Sequence, residues 1–261
     1  AELVARTGGR LEIHVNAMTD SPESASELVT YTLERGIPVS LWVLAMESFY
    51  FRTTSSPPVM WESGDAYAAD MRAYVTAIEA AYTAHNDALE GDASAAEIPP
   101  ISISFSDAEN DWQRVWDIGK ESDPDLADSK PGIADNVHAH GAFFTAADAH
   151  WYVGDPSSTL DEARLAANHQ LVEDVTWNID NWFLPLASDE TLRPTMVFTE
   201  YNIQTTWRTA LAMVHAAEFV SRATAHPEVS LLGFHSLTES CMDPIDGHRQ
   251  TAKDAATYNR Y

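Results

Sequence analysis

The sequence predicts an α/β protein of the TIM-type (β/α) barrel class, with about six β/α units in its 261 residues. Short apolar runs alternate with amphipathic helical patterns, and this alternation is typical of a parallel sheet. One run, Met196 to Phe198, is opened by Pro194 and closed by Glu200, as in a strand that is covered on both faces. No stretch reads as a linker, so we expect one barrel-like domain over residues 1–261, truncated at its N-terminal side by about two units.

Strands and helices follow one another along the chain. Strands are predicted at 11–16, 39–46, 101–105, 137–142, 195–200 and 230–234. Helices are predicted with a start within 19–23 and a stop at 36, and at 65–82, 161–183 and 207–223, followed by a short C-terminal helix. Ser21 and Pro22 suit a helix start and Gly36 suits a helix stop. Segment 107–132 is predicted to be a long irregular loop or a short helix over the active face, and the stretch around His150-Trp151-Tyr152 is predicted to be a loop on the same side.

The composition is strongly acidic, with a formal net charge of −25 from 40 acids and 15 bases. Such a field repels nucleic acid and anionic membranes, so we expect neither as a partner. The hydrophobic content of 45% and the eight tryptophans favour a packed core over disorder. We interpret the charge as a halophilic surface and expect the melting temperature to rise with molar salt. A melting temperature that stays flat or falls with salt would contradict this.

The cysteine content and the search for targeting segments say little about where the protein is located. Cys241 is the single cysteine, so neither an intramolecular disulfide nor a cysteine metal cluster is expected. The chain shows no signal peptide and no apolar run of about 18 residues. Localisation is therefore open, with an extracellular site favoured if a signal was removed.

Two glutamates follow predicted strands, Glu47 after the second and Glu200 after the fifth. The carboxyl ends of barrel strands build active sites, so acids there are candidates for catalysis. The ordinary alternative is a solvated or salt-bridged acid at a strand end.

The motifs around both glutamates resemble those of retaining glycoside hydrolases with (β/α)8 barrels, nearest to the arabinofuranosidase, xylosidase and heparanase-like branches. The matching stretches are 15–25, Leu44-Ala45-Met46-Glu47 with Tyr50, 63–67, and Thr199-Glu200-Tyr201-Asn202. The resemblance implies Glu47 as the general acid/base and Glu200 as the nucleophile in a double displacement. His140 resembles the substrate-side histidine of that family.

The implied activity is cleavage of a glycosidic bond in a plant or algal polysaccharide or oligosaccharide, without a cofactor or metal. Loop aromatic residues on the same side suit sugar stacking, although hydrophobic anchoring explains each equally well. The expected substrate contacts are Asn16, Tyr50, His140, Trp151, Tyr152, Tyr201 and His235. Two positions depart from the family: Met46 stands where an asparagine is usual, and Phe234-His235 where a tryptophan is usual.

Three alternatives stay open. The chain could be a non-catalytic carbohydrate-binding or scaffold protein derived from such an enzyme. His138 and His140, two residues apart on a predicted strand, could instead be metal ligands of a hydrolase. An incomplete barrel also leaves an open edge, which a second copy of the chain could cover.

Overall fold

The computed structural model describes residues 2–45, 61, 64–89, 94–106, 133–153, 194–203 and 210–234. The predicted helix at 161–183, the predicted loop or short helix at 107–132 and the predicted C-terminal helix lie outside these residues. Helices and strands alternate along the described chain. Its elements are α1 (Glu2–Thr7), β1 (Leu11–Val15), α2 (Pro22–Glu34), β2 (Val39–Leu44), α3 (Gly64–Asp87), β3 (Ile101–Ser106), α4 (Ile133–His140), β4 (Ala146–Val153), β5 (Thr195–Ile203), α5 (Ala210–Ala225) and β6 (Val229–Phe234).

The six strands are hydrogen-bonded in chain order, from β1 to β6. The pairs β1–β2, β2–β3 and β5–β6 are parallel. Parallel neighbours in chain order with helices between them confirm the predicted α/β class. In each of these three pairs, the carboxyl ends of the two strands lie on the same edge of the sheet.

The chain divides into two compact units. The first contains 1–106, 112–148 and 184–194, and the second contains 107–111, 149–183 and 195–261. The first unit thus holds β1 to β3 and the start of β4, while the second holds the rest of β4 with β5 and β6. A single domain over 1–261 stays a prediction.

Local signals fix helix α2, as predicted. Ser21 is its N-cap and accepts a hydrogen bond from the Ser24 backbone N–H, while Pro22 occupies the first turn. After the helix, Gly36 has φ +59°, a left-handed conformation that glycine adopts without strain. Its N–H donates to the Leu33 carbonyl, which closes the last turn.

The core of the first unit lies between its strands and helix α3. Trp42 on β2 is fully buried, and its indole N–H donates to the Tyr82 hydroxyl of α3 at 3.2 Å. Arg72 joins α3 to α4, because its Nε donates to Asn136 Oδ1 at 2.8 Å and its guanidinium also reaches the Gly141 carbonyl. These bonds satisfy polar groups that burial would otherwise penalise.

The second unit has an aromatic cluster, formed by Trp151, Phe198, Tyr201 and Phe219. Trp151 on β4 stacks on Phe219 of α5 with ring centroids 5.5 Å apart. Phe198 and Tyr201 on β5 contact the same ring at 5.4 and 5.2 Å. Together they pack α5 against strands β4 and β5.

One stretch of the sequence-based prediction is wrong. Residues 133–140 form helix α4, not a strand over 137–142, and residues 146–153 form strand β4, not a loop. Ile133, Asn136 and Val137 are buried at helical spacing, and Gly141 (φ +81°) ends the helix. Strand β4 lacks alternation because Ala146 to Trp151 are all buried.

Candidate active site

The site in the second unit is built around a buried histidine and a glutamate, hereafter the His150–Glu200 pair. His150 Nδ1 lies 3.4 Å from Glu200 Oε2, and His150 Nε2 lies 3.2 Å from Thr199 Oγ1. The His150 side chain is 2% exposed and that of Glu200 is 17% exposed. Glu200 is therefore the member of the pair that solvent or a ligand can reach.

The neighbours of the imidazole assign its proton. An ionised carboxylate only accepts hydrogen bonds, so the nitrogen that faces Glu200, Nδ1, carries the proton of a neutral ring. Nε2 then has a free lone pair and accepts the Thr199 hydroxyl. In this state the Nδ1–H group of His150 faces the Glu200 carboxylate.

A bulge in β5 brings Thr199 and Glu200 to the same imidazole. Residues that follow one another in a regular strand point to opposite faces. Here Phe198 pairs with Leu232 and Tyr201 pairs with Phe234, so three steps on β5 oppose two steps on β6. The extra residue turns the strand locally.

Tyr201 contacts the aromatic cluster. Its ring lies against Phe219, and burial raises the pKa of its phenol above the ordinary value of 10.0. The structure gives His150 a contact with Glu200, which the sequence did not predict. The signal for it is weak, since His150 and Thr199 are 49 residues apart.

The carboxyl ends of the strands in the first unit are held by backbone contacts. The Tyr67 hydroxyl donates to the Leu44 carbonyl at 3.2 Å and accepts from the Ser104 N–H at 2.8 Å. The Ala45 N–H donates to the Val15 carbonyl, and Ala45 has φ 53°. Residues 46–60, with Glu47 and Tyr50, lie outside the described residues.

Asn16, an expected substrate contact, follows β1 directly. Its amide group binds Thr19 through Nδ2 to Oγ1 at 2.7 Å and through Oδ1 to the backbone N–H at 3.3 Å. The side chain is exposed but takes part in this turn.

Two of the tryptophans expected in loops, Trp61 and Trp151, are buried, and the third, Trp112, lies outside the described residues. Trp151 is 2% exposed within β4, in the aromatic cluster. Trp61 is 7% exposed, and its indole N–H donates to Asp70 Oδ2 at 2.9 Å. The Trp61 side chain is therefore fixed against helix α3. Tyr152 belongs to β4, but its side chain, like His235, lies outside the described residues.

The two histidines proposed as a metal pair are exposed in the last turn of helix α4. Residues two apart on a helix do not share a face, so the strand geometry assumed for His138 and His140 is wrong. The strand-end position assumed for His140 as a substrate contact is wrong for the same reason. Across the described residues, no three His, Cys, Asp or Glu side chains form a group that could hold a metal ion.

Among the described residues, no helix combines the length and the apolar character that are needed to cross a membrane.

The fold is similar to those of solved glycoside hydrolases. An α-L-arabinofuranosidase from Thermotoga maritima, in complex with arabinose, superposes with a TM-score of 0.60 and 13% identity over 90% of this chain and 45% of that one. The family 51 α-L-arabinofuranosidase from Thermotoga petrophila RKU-1 superposes with a TM-score of 0.55 and 13% identity, over 90% of this chain and 45% of that one. A family 51 α-L-arabinofuranosidase from Bifidobacterium longum superposes with a TM-score of 0.50 and 13% identity, over 92% of this chain and 44% of that one.

These likenesses confirm the TIM-type (β/α) fold, with six strands described in this chain. At 13% identity they show the fold alone, and this chain spans less than half the length of those proteins. No family model and no curated protein matches the sequence.

Proposed function

We propose that the chain belongs to a retaining glycoside hydrolase that cleaves plant or algal polysaccharides or their oligomers, with Glu200 as its nucleophile. The observation that carries the proposal is a partly exposed carboxylate in the carboxyl-terminal half of a parallel strand, 3.4 Å from a buried imidazole. Active sites of (β/α) barrels form at this end of the strands. The fold of the arabinofuranosidases supports the same reading.

In the proposed reaction, Glu200 attacks the anomeric carbon while Glu47 donates a proton to the leaving oxygen. The glycosidic bond breaks, and a glycosyl ester with Glu200 forms. Water then attacks that carbon and gives its proton to Glu47, which releases the sugar and restores both groups. This mechanism requires carboxyl groups about 5 Å apart.

His150 is a positioning residue in this scheme. As an Nδ1–H tautomer it faces the Glu200 carboxylate and limits the rotation of that carboxylate. Because His150 is itself buried and fixed by Thr199, the carboxylate has a defined place before the sugar arrives.

The decisive experiment measures hydrolysis of a panel of aryl glycosides, including α-L-arabinofuranosides and β-xylosides. We expect turnover in the native protein and its loss in both Glu47→Gln and Glu200→Gln. Glu218→Gln is the matched control, because Glu218 lies on α5 and pairs with Arg222. A 2-fluoro glycoside should leave a covalent adduct, and mass spectrometry of its peptide should locate it at Glu200.

The second candidate is a carbohydrate-binding or scaffold protein without turnover. Met46 favours it, because a thioether cannot make the hydrogen bond of the asparagine that usually precedes the acid/base. Calorimetric binding of oligosaccharides with no hydrolysis of any aryl glycoside would support this candidate against the enzyme.

A further inference from the structure

Gly233 on β6 lies directly against the bulge of β5. A Cβ atom at this position would be 2.3 Å from the Thr199 carbonyl oxygen and 3.0 Å from its carbonyl carbon. The Phe198 carbonyl oxygen would be 3.4 Å away. All three neighbours are backbone atoms of β5, so no side-chain rotation could relieve the clash.

The close approach has a consequence for side chains across the strand. Thr199 and Glu200 both reach His150, one at each ring nitrogen, only because the bulge turns two consecutive residues toward it. Any side chain at 233 would push the Thr199 carbonyl away from β6. The Thr199 hydroxyl and the Glu200 carboxylate would move with it.

We propose that Gly233 is a positioning residue for Glu200: the absence of a side chain at 233 fixes the bulge that aims Glu200 and Thr199 at His150. This inference rests on the proposed function for its catalytic meaning. The physical part, that residue 233 sets the geometry at His150, stands on the contacts of the second unit alone.

The test is Gly233→Ala, with Gly9→Ala as the matched control. At Gly9 the added Cβ meets only the Thr7 side-chain oxygen, at 3.1 Å. We expect Gly233→Ala to lower kcat about 100-fold, as a displacement of about 1 Å at the reacting group can do. KM should stay near the wild-type value. Gly9→Ala should leave both constants unchanged, and Gly233→Val should be worse than Gly233→Ala.

A second readout needs no activity. Ring ¹⁵N shifts, assigned to His150 by their disappearance in His150→Gln, report which nitrogen carries the proton. We expect the Nδ1–H tautomer in the wild type and a mixture of tautomers in Gly233→Ala. Native near-UV circular dichroism in both proteins verifies that they are folded.

The two readouts separate the two claims. A changed tautomer in Gly233→Ala supports the positioning role even if no glycoside is turned over, and the proposed function alone then fails. Wild-type kcat together with a wild-type tautomer overturns the positioning role. Should Gly233→Ala not fold, a crystal structure of the native protein tests the same geometry: room for a Cβ atom between residue 233 and the Thr199 carbonyl overturns the inference, and a backbone approach that leaves no such room supports it.

Discussion

The carboxyl ends of β2 and β5 are built differently. At the end of β2, neutral groups hold the backbone: the Tyr67 hydroxyl binds the Leu44 carbonyl, and Ala45 adopts φ 53°. At the end of β5, the titratable groups of the His150–Glu200 pair lie 3.4 Å apart. Substitutions of Tyr67 and Ala45 should therefore change stability, and substitutions of the His150–Glu200 pair should change chemistry.

The largest expected effect is on turnover, from His150→Gln. The two ring nitrogens of His150 contact Glu200 and Thr199 at the same time. A glutamine side chain cannot make both contacts, so the Glu200 carboxylate is no longer held in one position. We expect kcat on a responsive aryl glycoside to fall about 100-fold. His138→Gln makes the same chemical change on an exposed helical position and should be silent. Full turnover in His150→Gln would remove the distinction between the two strand ends.

The next effect is on stability, from Tyr67→Phe. The Ser104 N–H and the Leu44 carbonyl both lose their partner in a buried place, which costs about 1–3 kcal/mol of unfolding free energy. Urea denaturation measures this loss. Tyr31→Phe, on a residue that is 48% exposed, is the control and should change little. If the two variants are equally stable, the hydroxyl of Tyr67 does not hold the strand ends.

A smaller effect of opposite sign is expected from Ala45→Gly. A left-handed conformation costs a residue with Cβ about 1–2 kcal/mol, and the greater freedom of unfolded glycine offsets about 0.4–1 kcal/mol of that gain. The net result is a stabilisation of about 0.5–1 kcal/mol in urea denaturation. Ala17→Gly, just after β1 and without a positive φ, should destabilise instead. Destabilisation by both would mean that Ala45 carries no strain.

The sequence was a good guide where the signal is local. The start of α2 at Ser21 and Pro22 and its stop at Gly36 depend on neighbouring residues, and both were predicted correctly. The position of Glu200 on β5 followed from one apolar run, although β5 continues beyond it to Ile203. The chain order of the strands followed from alternation.

The sequence was a poor guide where distant parts of the chain decide the outcome. Strand β4 is buried on both faces, so its sequence lacks the alternation of apolar and polar residues by which a strand is recognised. His138 and His140 alternate with an apolar residue, so this part of helix α4 was predicted as a strand. His150 contacts Thr199 on β5, and Gly233 on β6 lies against the same residue. These contacts join residues that are far apart in the chain, and no local sequence pattern predicts them.

The smallest expected effect concerns alkaline pH and the reverse side of β5. Burial raises the folded-state pKa of Tyr201 above 10.0, whereas the unfolded chain keeps the ordinary value. Between the two values the folded state binds more protons, so this contribution is complete below pH 10 and is lost as pH rises through the folded pKa. Tyr201→Phe should therefore flatten the alkaline decline in unfolding free energy, measured by urea denaturation from pH 8 to 11. Tyr31→Phe should leave the decline in place. If unfolding free energy declines identically in Tyr201→Phe and the native protein, burial of the Tyr201 phenol does not contribute to the alkaline decline. The aromatic face of β5 would then differ less from the face with Glu200 than their contacts indicate.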